Sequence, residues 1–180
     1  MSRRYELRFS GAGGQGLILI GKILAEAAAI HEERNATQSQ SYGPEARGGA
    51  SRSEVIISDE VIDFPKATRI DCLLALTQEA CDKYWQDLRD DGVLIVDSGS
   101  VTRLPPTAAA VHSFPITAVA KETVGRELVA NLVALGLVVG LTRAVSPESV
   151  ESAILTRVPR GTEGMNLKAF RAGLQLAGAS

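Results

Sequence analysis

The run Tyr5-Glu6-Leu7-Arg8-Phe9-Ser10, followed at once by Gly11-Ala12-Gly13-Gly14-Gln15-Gly16 and an apolar stretch over residues 17–30, decides the fold class of this sequence. Tyr5, Leu7 and Phe9 alternate with Glu6, Arg8 and Ser10, which is the period-two pattern of a strand with two unlike faces. The apolar stretch carries small residues at Ala25, Ala27, Ala28 and Ala29 and reads as a helix laid on a sheet. A strand, a glycine turn and a helix in that order open a parallel sheet covered by helices.

Working outward, residues 36–39 read as a short second strand, and Val55-Ile56-Ile57 with Val61-Ile62 as a hairpin around Ser58-Asp59-Glu60. Cys72-Leu73-Leu74-Ala75-Leu76 and Val93-Leu94-Ile95-Val96 are continuous apolar runs suited to buried parallel strands. Between them residues 78–88 form a helix holding Trp85. Asp97-Ser98-Gly99-Ser100 is a loop at a strand's carboxyl end, and residues 111–116 are a last strand. Helices are expected over residues 127–141, 148–155 and 167–176, with Ser146-Pro147 as a favourable start to the second. The expectation is α/β: a single three-layer α/β/α Rossmann-like domain over residues 1–180 with a mostly parallel sheet.

Composition sets limits on function. The chain has 180 residues, 45% of them hydrophobic, enough for one filled α/β domain. A formal charge of −2 argues against a broad nucleic-acid surface. The longest apolar stretch, residues 128–141, is shorter than the roughly 20 residues of a bilayer-spanning helix and includes Asn131. No secretory leader is read at Ser2-Arg3-Arg4, so a cytoplasmic protein is expected, with no membrane partner. Cys72 and Cys81 form no C-x-x-C pair, and His31 and His112 are far apart, so no metal site is expected on this chain.

Gly11, Gly13 and Gly16 satisfy G-x-G-x-x-G between a strand and a helix. Such a turn brings a ligand's phosphate against the amides of the helix start, or else only lets strand and helix pack closely. A dinucleotide site also requires an Asp or Glu about twenty residues further on. That position falls among Thr37, Gln38, Ser39 and Gln40, none of them acidic, which argues against NAD. A second segment, Ser41-Tyr42-Gly43-Pro44-Glu45-Ala46-Arg47-Gly48-Gly49, is too rich in glycine and proline for regular structure. It gathers an aromatic ring, a carboxylate and a guanidinium into one loop.

These two motifs at this separation, together with Asn131 and Gly136, resemble the gamma subunit of 2-oxoacid:ferredoxin oxidoreductases, and the likeness spans nearly the whole chain. The resemblance implies a part in the oxidation of a 2-oxoacid with coenzyme A to an acyl-CoA and carbon dioxide, with electrons passing to ferredoxin. It implies alpha, beta and delta-type partner subunits. Thiamine diphosphate with its magnesium ion, and the iron–sulfur clusters, are expected on those partners, because this chain lacks the Gly-Asp-Gly thiamine pattern and the cluster cysteines. The isolated chain is then inactive, with no catalytic residue of its own. Under this resemblance Gly11, Gly13, Gly14, Gln15 and Gly16 are candidates for contact with coenzyme A. Arg47 is a candidate for a coenzyme A phosphate or a partner's carboxylate. Tyr42, Gly43, Pro44, Glu45, Gly48 and Gly49 would order the loop or meet a partner. Two rival readings stay open, a purely structural subunit and a free-standing Rossmann-type nucleotide-binding oxidoreductase.

Overall fold

A computed structural model describes residues 4–41 and 50–178. Six strands form one sheet in the order β2-β3-β1-β4-β5-β6, with β1 Arg4–Ala12, β2 Asn35–Ser41, β3 Ala50–Ser58, β4 Ile70–Ala75, β5 Leu88–Asp97 and β6 Ala110–Phe114. The pairs β1–β4, β4–β5 and β5–β6 are parallel. Strand β3 alone runs the other way, pairing antiparallel with both β1 and β2.

Helices cover the two faces unequally. On one face lie α1 (Leu17–Glu26, continued by a π-helical turn Ala27–His31), α3 (Ile116–Val124), α4 (Ala130–Thr142), α5 (Pro147–Arg157) and α6 (Glu163–Gly178). Leu7, Phe9, Val55, Ile57, Cys72, Leu74 and Ile95 point into that layer. On the other face, among the described residues, α2 (Gln78–Tyr84), the turn after it, Ala67 and residues 98–109 cover a smaller apolar cluster around Leu73, Ala75, Leu94, Val96 and Tyr84. The strand alternation read from Tyr5 to Ser10 thus has a structural cause. Leu7 and Phe9 enter the large core, while Glu6, Arg8 and Ser10 are buried beneath the thin layer and each finds polar partners.

Several expectations need correction. Val55 to Ile57 belongs to β3, but Val61-Ile62 is no strand and Val61 is exposed. After Ser58 the chain must pass beneath β1 to start β4, and the Glu6 carboxylate fixes that passage by accepting the amides of Thr68 (2.6 Å) and Arg69 (3.0 Å). The last strand ends at Phe114 rather than Ile116, because Pro115 starts a helix there. That helix, α3, was not anticipated; its β-branched Ile116, Thr117, Val119, Thr123 and Val124 favour strands in isolation. Residues 127–129 form a 3-10 turn and α4 begins at Ala130. Trp85 lies in a 3-10 turn after α2, which ends at Tyr84. The start of α5 is as expected, with Ser146 Oγ accepting the Ser149 amide and Pro147 in the first turn.

The two cysteines sit on opposite faces of the sheet, Cys72 in the large cluster and Cys81 in the small one. Burial, reinforced by Asp71, pushes the Cys72 thiol up to about 12, and burial with Asp82 pushes Cys81 up to about 11. Both therefore stay protonated and shielded at pH 8. Titration with a disulfide reagent at that pH should find no reactive thiol in the native protein and both in denaturant. A native thiol reacting within minutes would contradict this burial.

Candidate functional site

Strands β1, β4 and β5 end at the same edge of the sheet. From β1 the chain leaves through α1 toward β2 on one side, whereas β4 opens the other side. That divergence leaves a crevice at the carboxyl edge, where open α/β sheets bind ligands. The glycine turn lies there. Gln15 folds back so that its Oε1 accepts the Ala12 amide at 2.7 Å, and this ring occupies the space where a Cβ on Gly11 would stand. Gly14 and Gly16 adopt left-handed φ values of 85° and 74°, which L side chains rarely take. A Cβ on Gly16 would also stand 2.3 Å from Asn131 Nδ2. Asn131 in turn donates to the Gly16 carbonyl at 3.2 Å, tying the start of α4 to the start of α1.

Geometry thus separates the glycines of the motif. Gly11 and Gly16 serve close packing. Gly13 and Gly14 are exposed, and a Cβ at either would meet nothing within 4 Å, so a ligand can approach their backbone. Helix geometry leaves the amides of Leu17, Ile18 and Leu19 without partners inside α1, and Gly16 at the N-cap has no side chain to cap them. Leu17 and Ile18 line a depression of about 260 Å³ together with residues 12–16 and Ser51, and among the described residues no charged side chain stands in its wall. Uncapped amides at the positive end of a helix dipole, beside backbone with open space, are suited to a phosphate.

A second crevice of about 300 Å³ adjoins the first and shares Gly14 and Gln15 with it. Its other walls are Leu76, Thr117, Glu127, Leu128, Ala130 and Asn131. Behind Thr117 lies Asp97, a buried carboxylate at the end of β5. Thr117 Oγ1 donates to its Oδ2 at 2.5 Å, and the Gly99 amide donates to Oδ1 at 3.3 Å. Sequence reasoning named the loop Asp97 to Ser100 without a role and missed Thr117, which sits in the unanticipated α3. Two larger depressions, of about 450 and 470 Å³, lie at the opposite edge, where the strands begin. The ion pairs Arg89–Asp91 and Arg34–Glu32 occupy them, and they are far from the glycine turn.

The sheet also shows where the residues 37–40 fall. In a dinucleotide fold the second strand lies beside the first and carries the ribose acid to the phosphate turn. Here β3 is inserted between β1 and β2, so Thr37 to Gln40 are a full strand away. Tyr42, Gly43, Pro44, Glu45, Arg47, Gly48 and Gly49 lie outside the described residues. The residues on either side are described: Ser41 pairs with Arg52 and Ala50 with Ala12, at the edge that holds the glycine turn. Ala50 is held by α2, its amide donating to Glu79 Oε1 (3.3 Å) and its carbonyl accepting from the Tyr84 hydroxyl (3.4 Å).

Comparison with known proteins gives this geometry a lineage. The profile of the pyruvate ferredoxin/flavodoxin oxidoreductase family matches residues 6–176. A 2-oxoglutarate synthase subunit KorC from Methanocaldococcus jannaschii is 51% identical over 97% of this chain and 94% of its own length. The crystal structure of a keto/oxoacid ferredoxin oxidoreductase gamma subunit from Geobacter sulfurreducens is 59% identical, with a TM-score of 0.91 over 98% of both chains. A 2-oxoglutarate:ferredoxin oxidoreductase from Magnetococcus marinus, with 2-oxoglutarate, coenzyme A and succinyl-CoA bound, shares the fold. Its TM-score is 0.87 at 23% identity, over 99% of this chain and 32% of that one.

Proposed function

The chain belongs to the pyruvate ferredoxin/flavodoxin oxidoreductase family, and from that membership we propose that it is the gamma subunit of a 2-oxoacid:ferredoxin oxidoreductase that helps to hold coenzyme A. Identity to 2-oxoglutarate synthase subunits reaches 51%, against 34% for a ketoisovalerate oxidoreductase subunit and 30% for a pyruvate synthase subunit, which supports 2-oxoglutarate as the oxoacid. The partners in this reading are alpha, beta and delta-type subunits, with ferredoxin served through the complex in the cytoplasm. Among the described residues no helix is long and apolar enough to cross a membrane. Thiamine diphosphate, magnesium and iron–sulfur clusters belong to the partners. The two cysteines, buried on opposite faces, are not placed to share a cluster.

The observation that carries the coenzyme A reading is the uncapped start of α1 beside Gly13 and Gly14, at the divergence of β1 and β4. When bound, coenzyme A supplies the thiol that accepts the acyl group. This chain's share is to bind and orient: the amides of Leu17, Ile18 and Leu19 meet the pyrophosphate, and the Gln15 ring keeps the turn in shape. Arg47 would add a charge-assisted bond to a phosphate or to a partner.

Gly13 is the position that tests this. Its backbone lies outside the left-handed region and has open space, whereas any side chain at Gly14 would be strained by φ alone. In the complex reconstituted with its partner subunits, Gly13→Val should leave assembly and kcat intact. It should raise KM for coenzyme A on the order of tenfold, as expected when a hydrogen bond to a charged group is lost before the chemical step. An unchanged KM in an assembled complex would favour a purely structural subunit.

A further inference from the structure

We propose that the crevice walled by Gln15, Leu76, Thr117 and Asn131 reads a neutral N–H-bearing part of the ligand, through Thr117 held as a hydrogen-bond acceptor by the buried Asp97. This rests on the reading that the ligand's phosphates sit at the neighbouring glycine turn.

Asp97 is 1% exposed, and among the described residues no Lys, Arg or His side chain lies within ion-pair distance of it. Burying a carboxylate without a counter-charge is costly unless hydrogen bonds hold it. The turn after β5 does not depend on the side chain alone, because the Asp97 carbonyl already accepts the amides of Ser100 (3.0 Å) and Val101 (2.8 Å). What the carboxylate adds is a fixed direction for Thr117. A threonine hydroxyl has one proton, and here it is spent on Asp97 at 2.5 Å. Thr117 lines the crevice, and in this proposal its Oγ1, with its proton on Asp97, meets a ligand there as an acceptor only.

The other polar groups have the same bias. The Glu127 carboxylate, in partial contact with Lys121 at 3.3 Å, stands at the mouth and disfavours phosphate. Gln15 has committed its Oε1 to Ala12, leaving its amide nitrogen as a donor. The crevice therefore offers the Thr117 and Glu127 oxygens as acceptors and the Gln15 and Asn131 amide nitrogens as donors, the latter partly spent on the Gly16 carbonyl, between apolar walls of Leu76, Ala130 and the 72% exposed Leu128. That set complements an amide, or an amine beside a ring nitrogen. In coenzyme A these are the pantetheine arm and the adenine ring. The phosphates go to the adjoining depression, whose wall carries no negative charge among the described residues.

The test compares parent, Thr117→Val, Thr117→Ser and Asp97→Asn in the assembled complex. The probes are coenzyme A, 4′-phosphopantetheine, adenosine 3′-phosphate 5′-diphosphate and inorganic pyrophosphate, with binding measured by calorimetry. Thr117→Val keeps the shape and removes the acceptor; one of the two organic fragments should bind on the order of tenfold more weakly. Pyrophosphate should be unaffected, and Thr117→Ser should restore the parent value. Asp97→Asn lets an amide donate to Thr117, turning its proton outward, and should weaken the same fragment even where melting shows an intact fold. Loss confined to phosphopantetheine identifies the arm, and loss confined to the nucleotide half identifies adenine; either supports the assignment. Thr117→Val binding every probe like the parent, or losing pyrophosphate by the same factor, overturns it. If that happens while Gly13→Val still raises KM for coenzyme A, only the crevice assignment fails. A parent complex in which coenzyme A does not touch this chain overturns both.

Discussion

A single methyl group at Gly136 or at Gly173 is expected to cost this fold more than the ~1–3 kcal/mol that over-packing usually takes. The two glycines face each other where α4 crosses α6, and the contact is backbone to backbone. A Cβ on Gly136 would stand 2.1 Å from the Phe170 carbonyl oxygen, and one on Gly173 would stand 2.0 Å from that of Val133. Carbonyl oxygens in helices cannot rotate away as a side chain can, so the helices must separate. Both belong to the layer that covers the large core, including Leu132, Leu135, Ala169 and Phe170. Against a domain stability on the order of 5–15 kcal/mol, such a loss brings the chain near unfolding. Gly164 supplies the control. It lies in the first turn of α6, where an added methyl would meet nothing within 4 Å, so Gly164→Ala should be neutral or mildly stabilising through helix propensity. Urea titrations of the three alanine variants test the contrast. Equal midpoints for Gly136→Ala, Gly173→Ala and the parent would show that the crossing is looser than described.

The helix pair also illustrates what was legible in the sequence. Residues 127–141 and 167–176 declare themselves as helices by local pattern, and so does the strand–turn–helix opening, because periodicity and turn chemistry act over a few residues. That Gly136 meets Gly173 is a long-range fact with no local signal. The same holds for β3. Its apolar residues mark it as a strand, but nothing near Val55 says that it will insert between β1 and β2, and the expectation of a local hairpin with Val61 was wrong for that reason. In the site, the glycine motif was readable while the division of labour within it was not. Gly16 is needed against Asn131 and Gly11 against Gln15, whereas Gly13 and Gly14 are the pair left open. The Asp97–Thr117 contact joins a strand end to a helix that intrinsic propensity hides.

Glu54→Leu should be the second severe change, at about 3–5 kcal/mol, the usual cost of leaving one partner of a buried ion pair behind. The Arg8 side chain is 4% exposed and that of Glu54 10%, and the guanidinium donates to Glu54 Oε1 at 2.7 Å from the centre of the sheet's thinly covered face. Arg8 also stacks over the Tyr84 ring at 5.1 Å and pairs with Asp87, but Asp87 is half exposed and cannot replace a buried counter-charge. Arg52, the other neighbour of Glu54 at 3.6 Å, is free to turn to water when Glu54 is lost. The double variant Arg8→Met/Glu54→Leu removes both buried charges and keeps the volume. It should recover most of the loss, because apolar residues of similar size often replace a buried pair without cost. A double-mutant cycle read from urea midpoints separates the possibilities. Recovery means that the pair is tolerated rather than stabilising, so that what the single variant loses is the cost of an orphaned guanidinium. If the double variant is as unstable as Glu54→Leu, the pair itself holds β1 against β3. The anchor of the loop containing Arg47 would then depend on the same charge pair, since Ala50 leads directly into the strand that carries Glu54.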